Sequence, residues 1–86
     1  MRDRLDIIHS NIIQRCTNPR NPAYERYGGR GITVCEEWTG TQGFFNFLSW
    51  ALNNGYSDNL TIDRINNDGD YEPSNCRWST QKEQQN

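Results

Sequence analysis

The sequence predicts a small α+β domain. Three observations carry that expectation: a length of 86 residues, two stretches with apolar residues at helical spacing, and short β-branched alternations set between glycine- and proline-rich punctuation. Eighty-six residues leave room for one domain, so residues 1–86 are expected to form a single unit. The expected order is helix, strand, helix, strand, strand, helix.

Leu5, Ile8, Ile12 and Cys16 recur at steps of three and four, the spacing of one helical face, with His9 and Ile13 at its edge. Thr17-Asn18-Pro19 ends this helix, because the residue before a proline is pushed out of the α region. Pro19 to Gly31 reads as an ordered loop carrying Tyr24 and Tyr27, and Gly28-Gly29-Arg30-Gly31 as a tight turn, since it matches neither dinucleotide nor P-loop spacing. Ile32-Thr33-Val34-Cys35 alternates and predicts a short strand. Thr39 to Thr41 offer caps for a second helix at roughly 42–53, apolar around most of its circumference and therefore central. Gly55 stands where a left-handed C-terminal residue is expected. Leu60 to Ile65 alternates as a strand, Asn66 to Asp70 is a turn, and Arg77-Trp78-Ser79 is extended. Thr80-Gln81-Lys82-Glu83 matches a capping box opening a last helical turn.

Composition narrows the function classes. No run approaches 18 apolar residues, so no membrane-spanning helix is expected. The opening MRDRLDIIHS carries charges where a secretory signal needs apolar residues, and a reduced, cytosolic protein is the expectation. Residues 1–30 hold six Arg against Asp3, Asp6 and Glu25, a net +3, while residues 31–86 hold three basic and eight acidic residues, a net −5. The whole chain is acidic, unlike a dedicated nucleic-acid binder. Eight of its nine basic residues are Arg, however, the residue suited to planar contacts with phosphate or carboxylate.

Only 33% of residues are hydrophobic, a small core for a small domain, and such chains often add disulfides or a structural metal. Three cysteines in a reducing compartment make no disulfide framework. Zinc takes four N/S ligands in a tetrahedron, and His9, Cys16, Cys35 and Cys76 are four candidates of that kind, so a zinc staple is expected. The alternative is that the cysteines are small buried hydrophobes and His9 a satisfied core residue. Asp68-Gly69-Asp70 shares acids with a calcium loop but lacks its ligand spacing, which leaves turn chemistry.

Tyr27-Gly28-Gly29-Arg30-Gly31-Ile32 and the stretch from Leu60 to Thr80 carry a likeness that extends over most of residues 5–84. The chain resembles the HNH, or ββα-metal, endonucleases of phages. That resemblance implies an HNH-like fold in which an Asp holds a divalent ion, an adjacent His activates water, an Asn braces the loop and a helix supplies a further ligand. Matched position by position, Asp63 stands for the metal-binding Asp, Arg64 for the catalytic His, Asn75 for the structural Asn and Gln84 for the ligand Asn. Two of these depart from the pattern. Arg64 stays protonated and cannot act as a base, and Gln84 adds a methylene that displaces a ligand oxygen by about 1.5 Å. The nuclease motif is thus degenerate.

Three functions follow. One is a Mg- or Mn-dependent HNH endonuclease with a replacement base. Another is a non-catalytic DNA-binding module using Arg20, Arg26, Arg30 and Arg64. The third is a phage or prophage protein acting in the host cytosol as a protein-binding inhibitor of a host defence nuclease. An acidic chain of this size also resembles the phage anti-CRISPR proteins that inhibit single-chain, type II RNA-guided effectors. Glu36, Glu37, Asp68, Asp70 and Glu72 are then the candidates for pairing with a basic partner surface. Acidity and the lost base favour the inhibitor.

Overall fold

The computed structural model describes residues 3–80. Helix α1 spans Arg4–Thr17 and buries Leu5 and Ile12, with Ile8 and Cys16 packed partly against the core. Asp6 in its first turn and Arg15 in its last complement the helix dipole. It stops at Asn18, whose extended backbone (φ −105°, ψ 107°) is what the following Pro19 demands.

The next segment makes two 3-10 turns, Tyr24–Arg26 and Gly28–Arg30. Gly28 lies against the Cys16 carbonyl so closely that a Cβ would collide with it, and this docks the connection onto the end of α1. The strand expected over Ile32–Cys35 does not form. Val34 makes one parallel bridge to Tyr71, bracketed by Tyr71 N–H to Thr33 O (2.9 Å) and Cys35 N–H to Tyr71 O (2.8 Å). The ladder cannot continue, because Glu36–Trp38 coils into a 3-10 turn on one side and Pro73–Asn75 does so on the other.

Helix α2 spans Gly43–Asn53. No threonine caps it: Gln42 takes the N-cap position without a side-chain bond, and the Thr39 hydroxyl donates to Glu36 O (2.8 Å) instead. Gly43 abuts the Trp38 carbonyl, where a Cβ would not fit. At the other end Gly55 is left-handed (φ 84°) and Tyr56 N–H reaches back to Ala51 O (3.1 Å), closing the helix as expected. The helix is not buried all round, however. Phe47 and Ala51 are fully covered, whereas Phe45 and Leu52 are 60% and 63% exposed.

Strands β1 (Thr61–Arg64) and β2 (Cys76–Ser79) pair antiparallel, with Thr61 opposite Ser79, Ile62 opposite Trp78, Asp63 opposite Arg77 and Arg64 opposite Cys76. They are the two paired strands among the described residues. The core joins Leu5, Ile12, Ile32, Trp38, Phe47, Ala51, Tyr71 and Cys76. Aromatic contacts dominate it: Trp38 meets Phe47 edge-on at 5.0 Å, Trp50 bridges to Trp78 at 5.7 Å, and Tyr56 abuts Trp78 at 4.9 Å. Each large ring buries roughly 150–250 Å², so a hydrophobic fraction of one third understates how much apolar surface this core removes from water. The expected final helix and Gln84 lie outside the described residues.

Candidate functional site

The cleft between α1 and β1 encloses about 340 Å³. Helical spacing places Arg4, Ile8, Asn11, Ile12 and Arg15 along its one wall, with the isoleucines as floor and the polar residues as rim. Strand β1 supplies the opposite wall through Thr61 to Arg64, and Tyr27, Asn67 and Tyr71 close the end.

The three arginines of the cleft are fixed by the protein itself. Arg4 donates from Nη1 to the Tyr56 hydroxyl (3.1 Å) and from Nη2 to Leu60 O (2.6 Å), with its guanidinium over the Tyr56 ring. Arg64 uses Nη1 for both the Asn67 and Gly69 carbonyls (2.8 Å each) and stands 5.0 Å from the Tyr27 ring centre and 5.2 Å from that of Tyr71. Arg15 stacks over the Tyr27 ring, 5.4 Å from its centre, and stands near enough to Tyr71 to favour its ionised form. Burial pushes the Tyr71 hydroxyl up to about 12, further raised by Tyr27 and opposed by Arg15 and Arg64. Among the described residues, no carboxylate stands within ion-pair distance of Arg4, Arg15 or Arg64. Asp63, the one carboxylate among the described residues that line the cleft, accepts from Arg77 Nε across the strand pair (3.0 Å).

The loop after β1 is stitched by Asn75. Its Oδ1 accepts from Asn66 N–H (2.9 Å), and its Nδ2 donates to the carbonyls of Asn66 (3.1 Å) and Asp70 (2.9 Å). Gly69 passes so close to this amide that a Cβ would lie 2.7 Å from Nδ2. Asn75 and Arg64 therefore hold the same loop from two directions. Three of the proposed partner-binding acids serve the local structure: Asp68 pairs with Arg30 (2.5 Å), Asp70 accepts from Thr33 N–H (2.9 Å), and Glu72 accepts from the Ser74 hydroxyl (3.0 Å). Glu36 and Glu37 are exposed on the turn before α2.

The four zinc candidates are not drawn together. His9 Nε2 lies 2.7 Å from Trp38 O, and its ring packs against Phe44 and Phe47. Cys16, two helical turns and about 10 Å of rise further on, faces the charges of Arg64, Asp70 and Arg15. Cys35 and Cys76 are close enough to sense each other's charge. Burial raises all three thiols, Cys76 up to about 12. No group of three or more His, Cys, Asp or Glu among the described residues is placed to hold a metal.

Sequence reasoning singled out Asp63, Arg64 and Asn75, and they share one corner of the molecule, but Arg4, Asn11 and Arg15 were missed. The signal was available in the periodicity: positions 4, 11 and 15 follow the isoleucine stripe of α1, so its face is half apolar and half polar, with two arginines. Of the arginines proposed for DNA contact, Arg64 is committed to the loop and Arg30 to Asp68, while Arg20 and Arg26 are exposed. Guanidiniums with no carboxylate at ion-pair distance among the described residues have the chemistry to pair with an anion. No family model, curated protein or solved structure matches this chain.

Proposed function

We propose that the protein is a non-catalytic nucleic-acid-binding module whose contact surface is the α1–β1 cleft and the turns beside it. The observation that carries this reading is the set of three arginines, Arg4, Arg15 and Arg64, which line one cleft with no carboxylate at ion-pair distance among the described residues, Asp63 on the same wall being taken up by Arg77. Phosphate oxygens are the abundant anion that such forks match. Arg26, exposed on the turn before Tyr27, adds positive charge there, whereas Arg30 is paired with Asp68.

Catalysis is not part of this reading. At the position of the nuclease base stands Arg64, which is permanently protonated and bonded to two carbonyls. Asp63, at the metal-binding position, is engaged by Arg77. A missing general base forfeits roughly 10²–10⁴ in rate, and the expected result with magnesium or manganese is uncut DNA.

The test is fluorescence anisotropy with labelled single- and double-stranded oligonucleotides at 50 and 200 mM salt. Three phosphate contacts predict a log–log salt slope of about −2 on single strands. Arg15→Gln should weaken binding and make that slope shallower by about one phosphate contact. Absence of binding at the lower salt would overturn the proposal.

A second reading rests on α2. Phe45 and Leu52 are seven residues apart, hence on one face, and both are largely exposed. Asn46 ties α2 to the turn bearing Glu36 and Glu37 through a bond from its Nδ2 to Glu37 O (2.8 Å). An apolar face rimmed by acids fits a protein partner with a basic surface, as the inhibitor of a type II RNA-guided effector requires. Titrating effector cleavage with the wild-type chain and with Phe45→Asp decides it. Inhibition lost in the variant supports this face, and cleavage unaffected by the wild type removes the reading.

A further inference from the structure

The charges in the cleft are unevenly divided along α1. Arg15 and Arg64 both stand over the Tyr27 ring, at 5.4 and 5.0 Å from its centre, so two guanidiniums share one end of the cleft. Arg4 lies eleven residues earlier on α1, about 16 Å away along the axis. The anion that fills this cleft therefore meets two guanidiniums at one end and one at the other, with Asp63 on the β1 wall taken up by Arg77 and Asp70, near the paired end, bonded to Thr33 N–H.

Nucleic-acid strands have that asymmetry only at their ends. An internal phosphodiester carries one negative charge, whereas a terminal phosphomonoester carries about −1.5 to −2 at neutral pH and presents three acceptor oxygens. The Arg15–Arg64 end matches the doubly charged group, and Arg4 matches a singly charged diester further along. Donors remain for both. Arg64 spends only Nη1 on the loop carbonyls and keeps Nε and Nη2, and Arg4 uses one bond from each Nη and keeps Nε. Because these side chains are already held, little rotamer freedom is lost on binding. A cleft of about 340 Å³ is at the small end for ligand sites and suits a single strand lying along it rather than a duplex. Asn11, exposed on the rim between the two charge centres, is placed to meet the sugar or base.

Building on the nucleic-acid reading, we infer that the cleft captures the phosphorylated end of a nucleic-acid strand, with Arg15 and Arg64 on the terminal phosphomonoester and Arg4 on a following diester. The partner is then a strand end such as a nick or break leaves, not the continuous backbone.

One oligonucleotide is compared in three forms, with a 5′-phosphate, with a 3′-phosphate and with hydroxyls at both ends, and adenosine monophosphate serves as competitor. One phosphorylated form should bind at least 10-fold tighter than the hydroxyl form, and Arg15→Gln should bring that ratio close to one. Arg4→Gln should weaken all forms alike and leave the ratio intact. This ratio is internal to each variant, so a general loss of stability does not imitate the result. Equal affinity for phosphorylated and hydroxyl ends would overturn the inference while leaving nucleic-acid binding in place. Binding of the monophosphate without binding of any oligonucleotide would keep the phosphomonoester site and remove the nucleic-acid reading instead. A phosphate preference unchanged in Arg15→Gln would place the contact elsewhere and also overturn it.

Discussion

The half of the molecule built on α2 and the half built around the loop between β1 and β2 are held by different forces. In the first, Trp38, Phe47, Trp50 and Trp78 interlock through ring contacts of 5.0–6.2 Å, and Trp38 and Phe47 are closed to solvent. In the second, the loop from Ile65 to Asn75 covers no large core residue except Tyr71 and is closed by the Asn75 amide, the Arg64 guanidinium and the Arg30–Asp68 pair. Packing tolerates little loss of volume but is indifferent to charge. Hydrogen-bonded loops tolerate neither a lost donor nor an inverted one, and they place side chains where a ligand can reach them. The comparison assigns stability to the aromatic half and the contact chemistry to the polar half.

The largest expected effect is in the aromatic half. Phe47→Ala removes a fully buried ring from the centre of the cluster and should cost about 3–5 kcal/mol in denaturant unfolding. Should it cost less than about 1 kcal/mol, the aromatic cluster is not the main source of stability.

In the polar half, Asn75→Ala takes the amide away from the Asn66 N–H and the Asp70 carbonyl and is expected to cost about 1–3 kcal/mol. Because the loop positions Arg64, oligonucleotide affinity should fall as well. Unchanged affinity in a folded Asn75→Ala protein would separate the loop from the cleft.

Alkaline pH probes the seam between the halves. Cys76 and Tyr71 have folded-state values raised to about 12 from ordinary values of 9.0 and 10.0, so the native state holds these protons longer than the unfolded chain does. The stability they contribute is complete below pH 9 and is lost as pH rises from 9 towards 12, at up to about 1.4 kcal/mol per pH unit for each group. Unfolding midpoints at pH 8, 9.5 and 10.5 check this, and Cys76→Ala should flatten the fall.

The smallest effect is expected at Arg77, 56% exposed beside Asp63. Arg77→Ala should change stability by no more than about 1 kcal/mol. It leaves the Asp63 carboxylate uncompensated beside the cleft, so oligonucleotide affinity should drop modestly and more at low salt than at high.

Local pattern determined much of this protein. The isoleucine spacing and Pro19 set the extent of α1, Gly55 set the end of α2, and the alternation after Leu60 located β1, because each depends on residues within a turn or two of one another. Tertiary structure decided the rest. Ile32–Cys35 has the alternation of a strand yet makes one bridge, since a strand needs a partner of matching length and Pro73 cuts that partner short. Phe45 and Leu52 have the apolarity of core residues yet face outward, because one face of α2 suffices to cover the aromatic cluster. Arg15 and Arg64 are 49 residues apart in sequence and share one tyrosine. No local periodicity records such a meeting, for Coulomb energy depends on distance in space, and the docking of α1 onto the turns around Tyr27, with Arg64 of β1 on the same ring, fixes that distance.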